Sequence, residues 1–383
     1  VNLLLDMKEK NFKKKLDILH IYYGSQGTGG IYLDEIYNAL KAFGFNQDVI
    51  VSYYYPFNYG KNIFFKKTDL ASGMKKSKMR ILFRLFEFIY GMLYTFFYIL
   101  YHKPKVVNYS LNRGFITDVY FVSILKRLSS SKIMITCHDV IPFSNNEQDY
   151  RKQVSYRRAI FSKVDFLLVH NEKSIEDLQR IFDVDKDRIH HHPFPIMDLN
   201  RINNDSVSFK KKFDFAFVGH LRKEKGLELL IDAWNIFYEN NPNATLLIAG
   251  NAAYDIELFS TLKNKNTTIV LKYLSDSEYC KFINESKTII LPYLKGTNSG
   301  VLFNIIASDC NIIYSNLPMF EESILLSKIG SFETGNIESL VSKLSYFYKK
   351  HEIQHANLLK EYKRDFDIKV VETYKKIMYA NKK

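Results

Sequence analysis

Short apolar runs alternate with stretches of helical periodicity along this chain, and the alternation occurs twice. The first series places strand candidates at residues 16–22, 48–54, 106–109, 132–137 and 166–170, with helical stretches at 31–43, 117–128, 151–162 and 174–182. The second places strands at 213–218, 244–249, 268–271, 288–291 and 311–315, with helices at 226–238, 256–262, 276–285, 301–308 and 337–350. The strand runs are short and rich in β-branched or aromatic residues, as buried parallel strands are. This pattern predicts an α/β chain with two doubly wound parallel sheets, each with helices on both faces. Residues 197–212 (MDLNRINNDSVSFKKK) are polar and aperiodic and read as the linker. A length of 383 residues suits two domains of ordinary size.

Composition narrows the class. With 46% hydrophobic and 25% charged residues, the chain is neither disordered nor collagen-like. The three cysteines, Cys137, Cys280 and Cys310, are far apart and match no zinc spacing. A disulfide framework is therefore not expected, and a reduced cytosolic compartment fits. No GxSxG or HExxH motif occurs. The tract His190-His191-His192 cannot turn three adjacent side chains onto one ion, so it reads as the approach to a strand end. Neither a metal nor a cofactor is expected.

The charge is uneven. Of the net +13, residues 1–195 carry 29 Lys/Arg minus 19 Asp/Glu, or +10. Residues 61–84 hold eight basic side chains against one acid, Asp69. Lys75, Lys76, Lys78 and Arg80 lie in this block, which suits either a solvated face or an anionic surface. Residues 81–101 (ILFRLFEFIYGMLYTFFYILY) follow. Arg84 and Glu87 interrupt the stretch, leaving 14 uncharged residues from Phe88 to Tyr101. That is short for a membrane span and suits a buried or interfacial helix. The amino-terminal residues show no signal-peptide pattern and the last five no lipidation box. A cytoplasmic protein, peripheral at the inner face of the cytoplasmic membrane, is expected. No DNA- or RNA-binding motif accompanies the positive charge, so nucleic acid is not expected as a partner.

In open α/β sheets ligands bind beyond the carboxyl ends of strands, and four segments there carry chemistry. Residues 24–30 (GSQGTGG) join a strand to a helix and suit a phosphate-approaching turn or a packing turn, matching neither GxGxxG nor a P-loop. In residues 217–226 (FVGHLRKEKG), Gly219 ends a strand, and Arg222 and Lys225 precede a helix. Two such cations can hold a diphosphate. In residues 291–301 (LPYLKGTNSGV), Thr297, Asn298, Ser299 and Gly300 precede Val301 in a turn that can donate to phosphate oxygens or cap a helix. His138, after another strand, can supply a hydrogen bond or a proton.

Together these segments resemble the GT-B glycosyltransferases, most closely glycosyltransferase family four, from about Asp17 to Phe347. Gly29-Gly30 resembles the family's Gly-Gly turn and His138-Asp139 its His-Asp pair. Gly219, Arg222, Lys225 and Gly226 resemble the opening of its second domain, and residues 296–301 its donor loop. The resemblance implies two Rossmann-like domains facing each other across a cleft. Residues 1–196, with a crossover helix at 365–383, form the acceptor-binding domain, and 213–364 the nucleotide-sugar domain. It further implies a retaining, metal-independent transfer from a nucleotide-diphosphate sugar to a lipid-linked or oligosaccharide acceptor in surface polysaccharide synthesis. Arg222, Lys225 and His138 would act at the reacting centre. Gly29, Gly30, Gly219, Thr297, Asn298, Ser299, Gly300, Val301 and Asn304 would line the donor site. Many members carry two glutamates eight positions apart, where this chain has Gly296 and Asn304. That departure motivates an alternative, a non-catalytic subunit that partners another glycosyltransferase.

Overall fold

The computed structural model describes residues 15–24, 29–53, 55–65, 78–110, 116–142, 146–197, 209–251, 256–262, 266–296, 300–308, 310–321, 326, 328–350 and 358–382. The chain divides into two compact units, Val1–Pro193 with Asp367–Lys383, and Phe194–Phe366. Residues 198–208 of the expected linker lie outside the described residues.

Unit 1 is a seven-stranded parallel sheet. Its elements run β1 (Ile18–Tyr22), α1 (Gly29–Ala42), β2 (Gln47–Ser52), β3 (Lys61–Phe64), α2 (Lys78–His102), β4 (Val106–Ser110), α3 (Ile116–Leu128), β5 (Lys132–Thr136), α4 (Glu147–Phe161), β6 (Phe166–Val169), α5 (Glu172–Phe182) and β7 (Ile189–His191). The strand order is β3-β2-β1-β4-β5-β6-β7, with every pair parallel. Register runs Ile18 with Gln47 on one side of β1 and Ile18 with Val106 on the other. The direction of strand addition therefore reverses at β1/β4, the switch point where such sheets open a crevice.

Unit 2 repeats the plan with β8 (Phe213–Val218), α6 (Leu227–Asn240), β9 (Leu246–Gly250), β10 (Thr267–Leu271), α7 (Asp276–Asn284), β11 (Ser286–Leu291), α8 (Gly300–Ile306), β12 (Asn311–Ser315), α9 (Pro318–Glu321), β13 (Ser331–Phe332) and α10 (Ile337–Lys349). Its order is β10-β9-β8-β11-β12-β13, again parallel, with the switch point at β8/β11. Its core centres on Trp234, fully buried on α6 against Phe215 and Phe237.

The last helix, α11 (Leu358–Tyr379), begins in unit 2 and ends in unit 1. Within unit 1 it closes a buried polar network. Asn108 Nδ2 donates to the Tyr374 hydroxyl at 2.9 Å and to His20 Nδ1 at 3.2 Å, while Thr136 donates to Asn108 Oδ1 at 2.8 Å. The Lys132 ammonium donates to the Ile377 and Met378 carbonyls, capping the helix's negative end.

Four sequence readings change. Strand β3 sits in what reads as the basic block. It is a four-residue edge strand, too short to show a period. His190 and His191 lie within strand β7 rather than approaching a strand end. Residues 256–262 form a 3₁₀ rather than an α segment. The terminal helix begins at Leu358, seven residues before residue 365.

Candidate functional site

The carboxyl end of the unit 2 sheet brings two loops together at its switch point. After β8, Gly219 N–H donates to the Ala249 carbonyl at 3.0 Å, and Leu221 N–H to Asn251 at 3.0 Å. The chain then makes one 3₁₀ turn, Lys223–Lys225, and enters α6 through Gly226. Gly226 has φ +70°, and a Cβ there would lie 1.8 Å from the Pro292 carbonyl oxygen. Only glycine allows both the left-handed conformation and that approach. The loop after β11 answers from its side, with Leu294 and Lys295 N–H both donating to the Glu224 carbonyl, at 2.9 and 3.3 Å. The β8 and β11 loops are thus one stitched surface.

Two cations lie on it. Lys225 Nζ sits 3.5 Å from the centroid of the Tyr293 ring. That ring is itself buried and packed against Phe320. The cation–π contact fixes where the ammonium rests. Arg222 is about half exposed, with Nη1 3.7 Å from Glu224 Oε1, an ion pair too loose and wet to consume its charge. Neighbouring His220 is held neutral, its pKa lowered by burial and then by the Arg222 and Lys225 charges. The net field at this strand end is positive and suits a diphosphate.

Of the other expected donor residues, Thr297, Asn298 and Ser299 lie outside the described residues. Gly300 and Val301 open α8, and Val301 Cγ2 lies 3.6 Å from the position a Cβ on Gly219 would take. Asn304 is buried on α8, with no hydrogen-bond partner for its Oδ1. Gly296 lies against Met319, whose Sδ would be 2.9 Å from a Cβ, so a larger residue there must push that thioether aside.

In unit 1 the structure gathers residues that sequence reasoning took singly or not at all. His138 follows β5, His170 follows β6 and His192 follows β7, with Tyr32 of α1 among them. Ring centroids lie 4.5 Å apart for Tyr32–His138, 5.2 Å for Tyr32–His170 and 5.4 Å for His138–His170. Tyr32 donates to His192 Nε2 at 3.4 Å, His192 Nδ1 to the Pro193 carbonyl at 2.8 Å, and His170 Nδ1 to the His192 carbonyl at 3.3 Å. Burial lowers the pKa of His138 and His192 to about 4, and burial, with His192 and His138 beside it, holds that of His170 well below its ordinary value. At neutral pH the cluster is uncharged and can offer hydrogen bonds but no cationic charge. Arg157 donates to the Asp139 and Val140 carbonyls and holds the turn after His138. The signal for His170 and His192 was present, since each histidine directly follows a strand. Tyr32 gave none, because only the packing of α1 brings it there.

Gly29 and Gly30 open α1. A Cβ on Gly29 would fall 2.5 Å from the Tyr22 hydroxyl, and one on Gly30 3.1 Å from Pro56. Lys75 and Lys76 lie outside the described residues, Lys78 begins α2, and Arg80 is half-buried on its first turn. Among the described residues no group of three or more His, Cys, Asp or Glu is arranged to hold a metal ion.

Residues 199–366 match the family Glycosyl transferases group 1, and residues 106–181 match Glucosyltransferase 3-like, N-terminal domain. No curated protein matches the sequence. Among solved structures, a glycosyltransferase from Rickettsia africae is 15% identical with a TM-score of 0.60, over 96% of this chain and 100% of that one. The Anabaena HepE protein, in complex with UDP and glucose, is 11% identical with a TM-score of 0.58, over 96% and 100%. The lipopolysaccharide outer core galactosyltransferase WaaB is 14% identical with a TM-score of 0.56, over 95% and 99%. The chain thus has the GT-B fold, two Rossmann-like domains, and its second unit carries a glycosyl transferases group 1 domain.

Proposed function

We propose that this protein is a retaining glycosyltransferase. It moves a sugar from a nucleotide-diphosphate sugar to a glycan acceptor, lipid-linked or oligosaccharide, in surface polysaccharide synthesis. The observation that carries the reading is the pair of cations, Arg222 and a ring-seated Lys225, at the switch point of a group 1 domain. The relatives support the substrate classes: one holds UDP and glucose, and another is named for lipopolysaccharide.

The chemistry follows from charge. The bond between the anomeric carbon and the diphosphate oxygen breaks, and the acceptor oxygen bonds to the same face of that carbon. The acceptor's proton passes to the leaving phosphate, so no protein nucleophile is needed. Negative charge grows on the diphosphate as it leaves, and Arg222 and Lys225 stabilise it without a metal. Neutral His138 takes a positioning role toward the sugar. The absence of a carboxylate at Gly296 and Asn304 favours a second reading, a subunit that binds nucleotide without turnover.

Calorimetric titration with UDP, GDP and their sugar conjugates in EDTA tests the donor site. Binding to one nucleotide is expected, weakened about 10–100-fold by Arg222→Ala or Lys225→Ala, the value of charged hydrogen bonds. A folded wild type that binds none of them overturns the donor site. Transfer assays with the bound donor then separate catalyst from scaffold.

Tyr293 supplies a finer prediction. Tyr293→Leu removes the ring face beneath Lys225 and is expected to weaken nucleotide binding about 3–10-fold, whereas Tyr293→Phe keeps the face and stays within about twofold. In the Lys225→Ala background the same Leu substitution should have no further effect.

A further inference from the structure

The most unusual surface of unit 1 lies on α2. This helix of 25 residues is about 37 Å long at the usual rise. Its carboxyl-terminal half is fastened to the domain. Met92, Thr95 and Ile99 are buried on one stripe, and Gly91 approaches β3 so closely that a Cβ would meet the Phe64 ring at 2.3 Å. The opposite face is not covered in this way along the length of the helix. Leu82, Phe86, Ile89, Leu93 and Phe97 form a stripe at helical spacing on the side away from the sheet, each 46–63% exposed. Ile81, Tyr90 and Tyr101 widen it at 71%, 60% and 73%. Helix α3, which packs beside α2, exposes a second apolar stripe of Tyr120, Ile124 and Leu128. Exposed apolar surface on this scale marks an interaction site rather than ordinary surface.

We propose that the exposed face of α2 docks on an anionic lipid bilayer, lying in the interface without crossing it. By length and composition, residues Met79–His102 could cross a membrane. The stripe buried against the sheet prevents that while unit 1 is folded, because crossing would strip Met92, Thr95 and Ile99 from the core. Charge selects lipid over a protein partner. The first ten residues of α2 hold Lys78, Arg80 and Arg84 against Glu87, and they follow a segment with a large basic excess. Arg84 lies over the Phe65 ring at 4.3 Å, on the sheet side of the apolar stripe. Basic residues flanking an aliphatic and aromatic face are what an in-plane helix presents to acidic headgroups and acyl chains. The face offers few polar groups with which a protein partner could be registered. This inference is independent of the donor site and stands or falls without it.

Flotation of the full chain with vesicles tests it, using phosphatidylcholine alone and phosphatidylcholine with about a third phosphatidylglycerol. Wild type is expected to float with the anionic vesicles and much less with the neutral ones. The variant Leu82→Ser/Phe86→Ser/Leu93→Ser alters exposed positions only, so its thermal unfolding should match wild type. Its vesicle binding should fall at least about tenfold. Arg80→Gln/Arg84→Gln should lose the anionic preference. Three results overturn the proposal: no flotation with either vesicle, flotation unchanged in the triple variant, or a dimer in light scattering that the triple variant dissolves while vesicles go unbound. The last would assign the face to a second copy of the chain.

Discussion

Acidification from pH 6.5 to 4 is expected to unfold unit 1 while unit 2 stays folded. His20, His138, His170 and His192 all belong to unit 1 and are held neutral by burial, the first, second and fourth at about 4 and His170 well below its ordinary value. In the unfolded chain each takes up a proton near pH 6.5. Between these values the unfolded state binds more protons, so stability is full above about 6.5 and falls as pH drops toward 4. For the fully buried His20 and His192 the loss by pH 4 is about 3 kcal/mol each, together a large share of a domain's stability. Among the described residues, unit 2 has one depressed histidine, His220. Burial works against the charge on its Asp214, but Lys287 and Thr245 hold that carboxyl below its usual value, so its contribution is lost only under more acid conditions. The chain's single tryptophan, Trp234, is buried in unit 2 and reports that unit alone. Ellipticity should therefore fall near pH 5 while Trp234 emission stays unshifted. Coincident loss of both signals would show that the buried histidines do not set the acid limit.

Gly226→Ala should dismantle the candidate donor site from within. The added methyl would sit 1.8 Å from the Pro292 carbonyl oxygen at φ +70°, so either the β11 loop or the entry to α6 must move. A loss of about 2–4 kcal/mol is expected from clash and left-handed strain together. Gly335→Ala is the matched control. Its φ of +80° imposes the same strain, but nothing lies within 4 Å of its Cβ. It should cost only about 1 kcal/mol. Denaturant midpoints read from Trp234 emission measure both. If the two variants match in stability, the Pro292 contact is not what requires glycine. The Gly226 variant should also lose nucleotide affinity even where it remains folded, because Lys225 and Tyr293 sit on the two parts forced apart.

Much of this architecture was legible because buried parallel strands read as unbroken apolar runs. Phe166–Val169 is such a run, and Ile18–Tyr22 and Val106–Ser110 are apolar but for His20, Asn108 and Ser110; each lies fully inside. The turn after β8 was legible for a related reason, since Gly219 and Gly226 bracket a polar segment between an apolar run and a helical one. What escaped depended on contacts distant in sequence. Strand β3 is an edge of four residues that only pairing with β2 defines. Strand β7 hides in a histidine tract held by groups far away in the chain, Tyr32 at the His192 ring and Thr373 of α11 at the His191 carbonyl. Lys225 was visible as a charge, but its seat on Tyr293 required the β11 loop to fold beside it. Helix α2 looked equally suited to a core or an interface. Periodicity ranks the faces of a helix, and only the surrounding packing decides which face is covered.

The route of α11 bears on how the chain is made. Unit 1 draws Tyr374 to Asn108 and Thr373 to the His191 carbonyl from a segment that follows all of unit 2. On the ribosome the amino-terminal sheet therefore emerges with its buried polar network unfinished, and stays so while unit 2 is translated, about 10–35 s at ordinary elongation rates. Unit 2 is contiguous and can close as it emerges. The part synthesised first is completed last, and the nascent chain carries an open histidine-rich sheet for as long as unit 2 takes to be made.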